Sequence, residues 1–372
     1  MVKLGTLIKE VTIKTTINNQ YEVLTSSQNG IVSQEEYFNK QVASQNNVGY
    51  KIIKKGQFTY RSMSDTGKFY INRLTNKDIG IVSPAYPVFE IVSNKIIPEY
   101  MELFFKTNLF QNQISNKSAG STRLALRFSK LESVMIPVPD VSFQRNIVNN
   151  IKTIHSGLTC EQKHYSYYDE LIKSRFNEMF SKCKADTKLG DVSNICRGAS
   201  PRPISSFITK DINGINWIKI GDVENDAIYI TKTEERITRA GANKSKEVHI
   251  GDFILSNSMS FGRPYILGIN GCVHDGWLII SNYQHIFEPL FLYYSLRSDD
   301  VQNQFIHEAS GTTVKNLNSD IVKNIFVIKP PLKEQKEFSS FVNQIDKLKF
   351  NVQKRIEYYQ ELLNKKMDEY FN

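Results

Sequence analysis

Residues 332–372 read LKEQKEFSSFVNQIDKLKFNVQKRIEYYQELLNKKMDEYFN, and residues 141–183 read VSFQRNIVNNIKTIHSGLTCEQKHYSYYDELIKSRFNEMFSKC. In the first stretch Phe338, Val342, Ile345, Leu348, Val352, Ile356, Tyr359, Leu363, Met367 and Tyr370 are spaced by threes and fours. The second gives Ile147, Ile151, Ile154, Leu158, Tyr165, Tyr168, Ile172, Phe176 and Met179, interrupted at one seam position by Glu161. Apolar residues at this period form a narrow stripe that must pack on a partner, so each stretch is predicted to be one long helix. Proline punctuation precedes both, as Ile136-Pro137-Val138-Pro139 and as Lys329-Pro330-Pro331. At 1.5 Å per residue each helix would span roughly 55 Å. The economical arrangement packs the two stripes on each other, antiparallel, as a coiled coil. Its expected contacts are Ile147, Ile151, Ile154, Tyr168 and Ile172 against Val342, Ile345, Val352, Ile356 and Leu363. Two separate amphipathic helices, each lying on its own domain, are the alternative.

The two stretches belong to a larger repeat. Shifting the chain by 191 positions brings Pro98 onto Pro289, Gly120 onto Gly311, Leu126 onto Leu317, Pro139 onto Pro330, Gln144 onto Gln335 and Tyr167-Tyr168 onto Tyr358-Tyr359. The starts match as Lys3-Leu4-Gly5 and Lys188-Leu189-Gly190, at an offset of 185. Between these anchors the halves share little, so each unit is a variable globular part followed by a similar tail. Short apolar runs bounded by Gly, Asp and Pro, such as Gly80-Ile81-Val82, Trp217-Ile218-Lys219-Ile220-Gly221 and Gly251-Asp252-Phe253-Ile254-Leu255, predict β-rich globular parts. A short helix is expected after each of Pro98 and Pro289. The fold class is therefore α+β, with two β-rich domains separated by two long helices in a pseudo-twofold internal repeat. The expected divisions are 1–140, 141–183, 184–331 and 332–372.

Of 372 residues, 40% are hydrophobic and 23% charged, as in ordinary globular domains. No apolar run approaches the length of a transmembrane helix. The start, MVKLGTLIKEVTI, lacks the apolar core and cleavage site of a signal peptide. Cys160, Cys183, Cys196 and Cys272 have no CxxC spacing and the six histidines form no ligand cluster, which predicts reduced thiols, no metal and a cytoplasmic protein. The net charge of +9 favours a polyanionic partner, because Lys and Arg displace counterions from phosphates.

Taken together, these features resemble the specificity subunit of type I restriction–modification systems over essentially the whole chain. The carriers are the K-L-G starts, the small-polar loops Ala119-Gly120-Ser121-Thr122-Arg123 and Ser310-Gly311-Thr312-Thr313-Val314-Lys315, the proline-bounded strand ends, the Gln144 and Glu334-Gln335 helix openings, and the paired long helices. One departure is Phe143-Gln144, where Glu-Gln would be usual. The resemblance implies that each variable domain reads one half of an asymmetric, split double-stranded DNA site, that the helices set the gap, and that two adenine-methyltransferase subunits dock on the assembly, with restriction/translocase subunits joining through them. It implies no cofactor.

Readers of DNA need cations and amides on loops. The candidates are Lys54, Lys55, Tyr60, Arg61, Ser62, Arg73 and Arg123 in the first domain. In the second they are Arg197, Arg202, Lys219, Asn257, Ser258, Arg263 and Lys315. Catalytic motifs are missing: no Gly-rich methyl-donor loop, no P-loop, and a Pro-Pro without methyltransferase flanks. Pro139-Asp140 with Glu161-Gln162-Lys163 loosely mimics a nuclease, but Glu161 falls inside a helix. His274-Asp275 reads as a turn pair beside Gly276 and Trp277. The expected protein is non-catalytic. The alternatives are a specificity subunit serving a fused methyltransferase–nuclease, and a repeat scaffold that binds no DNA.

Overall fold

The computed structural model describes residues 1–37, 46–115, 124–223, 227–257, 262–309 and 317–371. They form two compact units: residues 1–163 with 353–372, and residues 164–352. Among the described residues, no helix is long and apolar enough to cross a membrane.

The same frame is built twice. In the first unit Val2–Lys3 pairs antiparallel with Met135–Ile136, and in the second Ala185–Lys188 pairs with Phe326–Ile328. The K-L-G motif follows each opening strand as one tight turn, Leu4–Thr6 or Leu189–Asp191, with its leucine fully buried. Leu4 donates its N–H to the Val134 carbonyl at 2.8 Å, and Leu189 does the same to Ile325 at 2.9 Å. The glycine is required by space. A Cβ on Gly5 would lie 3.0 Å from Glu132 Cβ, and one on Gly190 only 2.7 Å from Lys323 Cβ. The motif therefore marks where the start of each domain is stapled to its end.

Buried glutamines lock the frame. Gln144, wholly buried, donates to the carbonyls of Lys95 (2.7 Å) and Pro139 (2.8 Å) and accepts from Ile97 N–H (3.0 Å). Gln335 makes the equivalent set with Ile286, Pro330 and Glu288. Gln113 exchanges two hydrogen bonds with the backbone of Met135, and Gln304 exchanges two with Phe326. The wholly buried Gln144 and Gln335 amides satisfy backbone groups that would otherwise be left unpaired, at about 1–3 kcal/mol apiece.

After each proline the structure has two short helices where the sequence suggested one. They are Pro98–Phe105 with Asn108–Ile114, and Pro289–Leu296 with Asp299–Ala309. The break is a capping event: the Thr107 hydroxyl accepts Phe110 N–H at 3.1 Å, and the Ser298 hydroxyl accepts Val301 N–H at 3.4 Å. Between the shared parts the units diverge. The first holds a four-stranded antiparallel sheet in the order Ile8–Glu10, Val88–Ile91, Phe58–Thr59, Asn72–Arg73, with three further strand pairs among the described residues. The second holds two five-stranded sheets.

Both long helices exist, as Val141–Phe180 and Leu332–Phe371, each of 40 residues. Within each unit their segments run antiparallel. In the first, Asn150 bonds Tyr370 (2.9 Å) while Glu161 takes both Arg355 Nε (2.9 Å) and Nη2 (3.0 Å). In the second, Lys349 bonds Asp169 (2.7 Å) and Arg175 bonds Glu337 (3.0 Å). The helix ends are buried in the globular cores. Ile147 and Ile151 lie in the first core with Leu363 packed against it; Ile172, Val342 and Ile345 lie in the second with Tyr168 against it. Val352 and Ile356 are buried and Ile154 is half-buried. Leu348, placed on the stripe by its spacing, is instead 46% exposed.

The seam charge Glu161 is thus a designed contact rather than a flaw, and the nuclease-like carboxylates have other work. Asp140 accepts Phe143 N–H at 2.9 Å, opening the helix, while Glu161 holds Arg355. Replacing Arg355 by leucine leaves a carboxylate only 15% exposed without its bidentate partner. The single variant is expected to lose about 1–3 kcal/mol, most of it regained when Glu161→Leu is added. Urea unfolding of the two single variants and the double variant checks this. Equal stability of Arg355→Leu and the double variant would refute the role given to the pair.

Candidate nucleic-acid interface

In the second unit, register alone gathers the chemistry at one place. Arg197 pairs with Leu278, Ser256 with Trp277, and Leu255 with Pro264, so Arg197, Asn257, Gly276 and Arg263 all sit at the same end of one five-stranded sheet. In the other sheet Ile215–Ile218 and Gly271–Val273 are parallel neighbours, with Ile218 opposite Val273. The residues that follow, Lys219 and His274, therefore emerge side by side. The short turn His274-Asp275-Gly276 connects the two sheets.

That turn is heavily supported. The Asp275 carbonyl accepts Arg197 Nε at 2.8 Å and Asn257 Nδ2 at 3.2 Å. Its carboxylate accepts the Ser200 hydroxyl at 2.7 Å and faces Arg202 Nη2 at 3.1 Å. The Ser200 hydrogen bond holds the Asp275 carboxyl below its usual range, so it is ionised at neutral pH. His274 Nδ1 accepts Gly276 N–H at 2.8 Å, and burial pushes the imidazole below its ordinary value, which keeps it neutral. These contacts hold the turn in shape. Beside it opens a groove of about 840 Å³, lined by Pro201, Arg202, Ile204, Trp217, Lys219 and His274. Lys219 reaches Glu235 at 3.0 Å, and the Arg263 guanidinium stacks 5.7 Å from the Tyr265 ring centre.

The structure thus brings Arg197, Arg202 and Lys219 together around one turn, with Arg263 at the same sheet end. Asn257 needs correction as a base-reading candidate. It is 3% exposed, and its amide is committed to the Asp275 carbonyl, so it supports the turn from behind.

The first unit gathers its candidates less. Lys54 and Lys55 are exposed at the turn through Gly56, with Lys55 3.3 Å from Asp78. Arg61 is exposed and Ser62 half-buried beyond the other end of Phe58–Thr59. Two candidates are corrected here. Tyr60, just past the strand Phe58–Thr59, is wholly buried in the core beside Phe58. Arg73 spends its guanidinium on Glu99 (2.8 Å) and Glu102 (3.1 Å), tying its strand to the helix Pro98–Phe105. Arg123, Ser258 and Lys315 lie outside the described residues.

Asp275, Ser200 and Trp217 were not legible as site residues. A search for cations and amides passes over a carboxylate, and only the sheet register brings Ser200 to Asp275.

Comparison with known proteins adds the following. The profile of the type I restriction modification DNA specificity domain matches residues 4–165 and again 184–358. A putative type I restriction enzyme specificity subunit of Haemophilus influenzae is 28% identical over 276 residues, covering 66% of this chain and 67% of that protein. The EcoKI specificity subunit of Escherichia coli is 20% identical over 293 residues, 70% of this chain and 61% of its own length. Two solved structures share the fold. A chain from a type I restriction–modification complex matches with TM-score 0.66 at 19% identity, over 99% of this chain and 96% of that one. The S subunit from M. genitalium matches with TM-score 0.51 at 13% identity, over 100% and 95%.

Proposed function

Because this chain belongs to the type I restriction modification DNA specificity family, we propose that it is the sequence-reading subunit of a type I complex, each of its two units reading one half of a split, asymmetric DNA target. The observation that carries this is the frame built twice around divergent sheets, with exposed Arg197 and Arg202 and half-buried Lys219 gathered at one turn of a chain of net charge +9. Cations at a sheet end meet phosphates and fix register, while side chains on the adjoining turn reach base edges. Divergent sheets on equal frames suit unequal half-sites. The gap between halves is set by the long helices that both units share. The methyl transfer and any cleavage belong to partner subunits: adenine methyltransferases docked on this chain, with nuclease and translocase joining through them. The protein acts in the cytoplasm, where such partners meet the chromosome.

The test is a binding titration of the chain in complex with its methyltransferase, on a duplex bearing the target and on a scrambled duplex, from 50 to 200 mM salt. Affinity for both should fall by about a thousandfold or more if six or more phosphates are contacted. A preference for the target should persist at every salt concentration. Salt-insensitive binding without preference would favour the scaffold reading instead.

A further inference from the structure

Asp275 is an odd residue to find on a surface meant for a polyanion. An ionised carboxylate beside two arginines lowers the positive field and repels nearby phosphates, so it weakens general DNA affinity. Yet four residues from two chain segments fix it. Arg197 and the buried Asn257 hold its carbonyl, Ser200 accepts its N–H (3.2 Å) and donates to one carboxylate oxygen (2.7 Å), and Arg202 meets the other at 3.1 Å. Its side chain nonetheless stays 41% exposed, and that of Arg202 80% exposed. A pair held only for stability gains little at such exposure. A preorganised acceptor next to an exposed planar donor is what base-edge recognition needs.

We propose that Asp275 and Arg202 together read one C·G base pair in the major groove of a half-site, Asp275 accepting from the cytosine N4 amino group and Arg202 donating to guanine O6 and N7. The chemistry selects this pair. A carboxylate can only accept, so it rejects thymine O4 and guanine O6. A guanidinium can only donate, and its fork matches the two guanine acceptors. With Ser200 on one oxygen and Arg202 on the other, the partly exposed carboxylate keeps further acceptor capacity, and Arg202 keeps donors beyond the one on Asp275. This rests on the DNA-reading function proposed above and assigns one position within it.

The experiment is methylation mapping of a bacterial genome in which the chain is co-expressed with its methyltransferase, for the parent, Asp275→Asn and Arg202→Ala. The parent should show a split motif with a fixed C·G pair in at least one half. Asp275→Asn keeps the shape and can still accept the Ser200 hydroxyl, but its amide can donate as well as accept. Discrimination should fall about tenfold or more at that one base pair. Arg202→Ala, too exposed to disturb folding, should loosen the same position. The proposal is overturned if both variants keep the parent motif, if the two loosen different positions, if methylation falls uniformly with every position still specified, or if the parent motif contains no specified C·G pair. A parent with no motif at all would instead refute the DNA-reading function on which the proposal rests.

Discussion

Replacing Phe291 by alanine is expected to cost about 3–5 kcal/mol. The ring is fully buried, 5.0 Å from Phe180, 5.9 Å from Phe176 and 6.1 Å from Phe287, centre to centre. Phe338 closes the cluster at 5.3 Å from Phe176 and 5.8 Å from Phe180. Three chain segments therefore meet on one aromatic nucleus: the end of the first long helix, the start of the second, and the short helix Pro289–Leu296 of the globular part. Removing the central ring leaves a cavity that three rigid elements cannot close together, so the full cavity penalty applies. The melting temperature of this unit should drop by roughly 6–20 °C, while truncating Ile212, 76% exposed, should change stability by about 0.5 kcal/mol at most. Calorimetry on the two variants decides the matter. A loss under about 1 kcal/mol at Phe291 would show that the nucleus does not anchor the helices.

Gly198→Ala should strike the reading turn itself. A Cβ at this position would lie inside contact distance of the His274 carbonyl oxygen and 3.0 Å from the His274 carbonyl carbon. Both are backbone atoms, and neither can rotate away. Gly198 is also fixed from the other side, its N–H donating to the Trp277 carbonyl at 2.8 Å. The strand and the turn must separate, at about 1–3 kcal/mol of overpacking. More important is what moves. His274 precedes Asp275, so Arg197, Ser200 and Arg202 all lose their common partner. Recognition of one half-site should weaken about tenfold or more while the other half is read as before. Gly221→Ala is the control, since nothing lies within 4 Å of its added methyl, and it should leave both halves unchanged. Half-site binding measured on duplexes mutated in one half at a time gives the comparison. Equal loss on both halves, or none, would contradict the geometry.

Much of the fold was legible because the repeat is written in residues with strict demands. Gly5 and Gly190 repeat because a helix backs onto them, and Gln144 and Gln335 repeat because each closes three backbone groups. Stripe spacing located the long helices to within a few residues, but it could not foresee that their ends enter the globular cores, nor that Leu348 turns outward. The sheets were less readable. Strands such as Phe58–Thr59 and Asn72–Arg73 are two residues long, too short for alternation to show which side faces in. That is why Tyr60 and Arg73 looked like surface contacts: Tyr60 sits in the core, and Arg73 is held by two half-buried carboxylates. Arg197, Arg202 and Lys219 were identified by residue type alone. Their convergence depends on two sheets ending at one turn, which lies in the pairing register and not in any local pattern.

Genome-wide mapping of N6-methyladenine in a host lacking other such systems, with this chain and its methyltransferase expressed together, tests the central claim most directly. One split motif with two unequal specified halves separated by a gap of fixed length is expected, and it should disappear when this chain is omitted. Methylation that is unchanged without the chain, or a stable complex that leaves no new methylated motif, would contradict it.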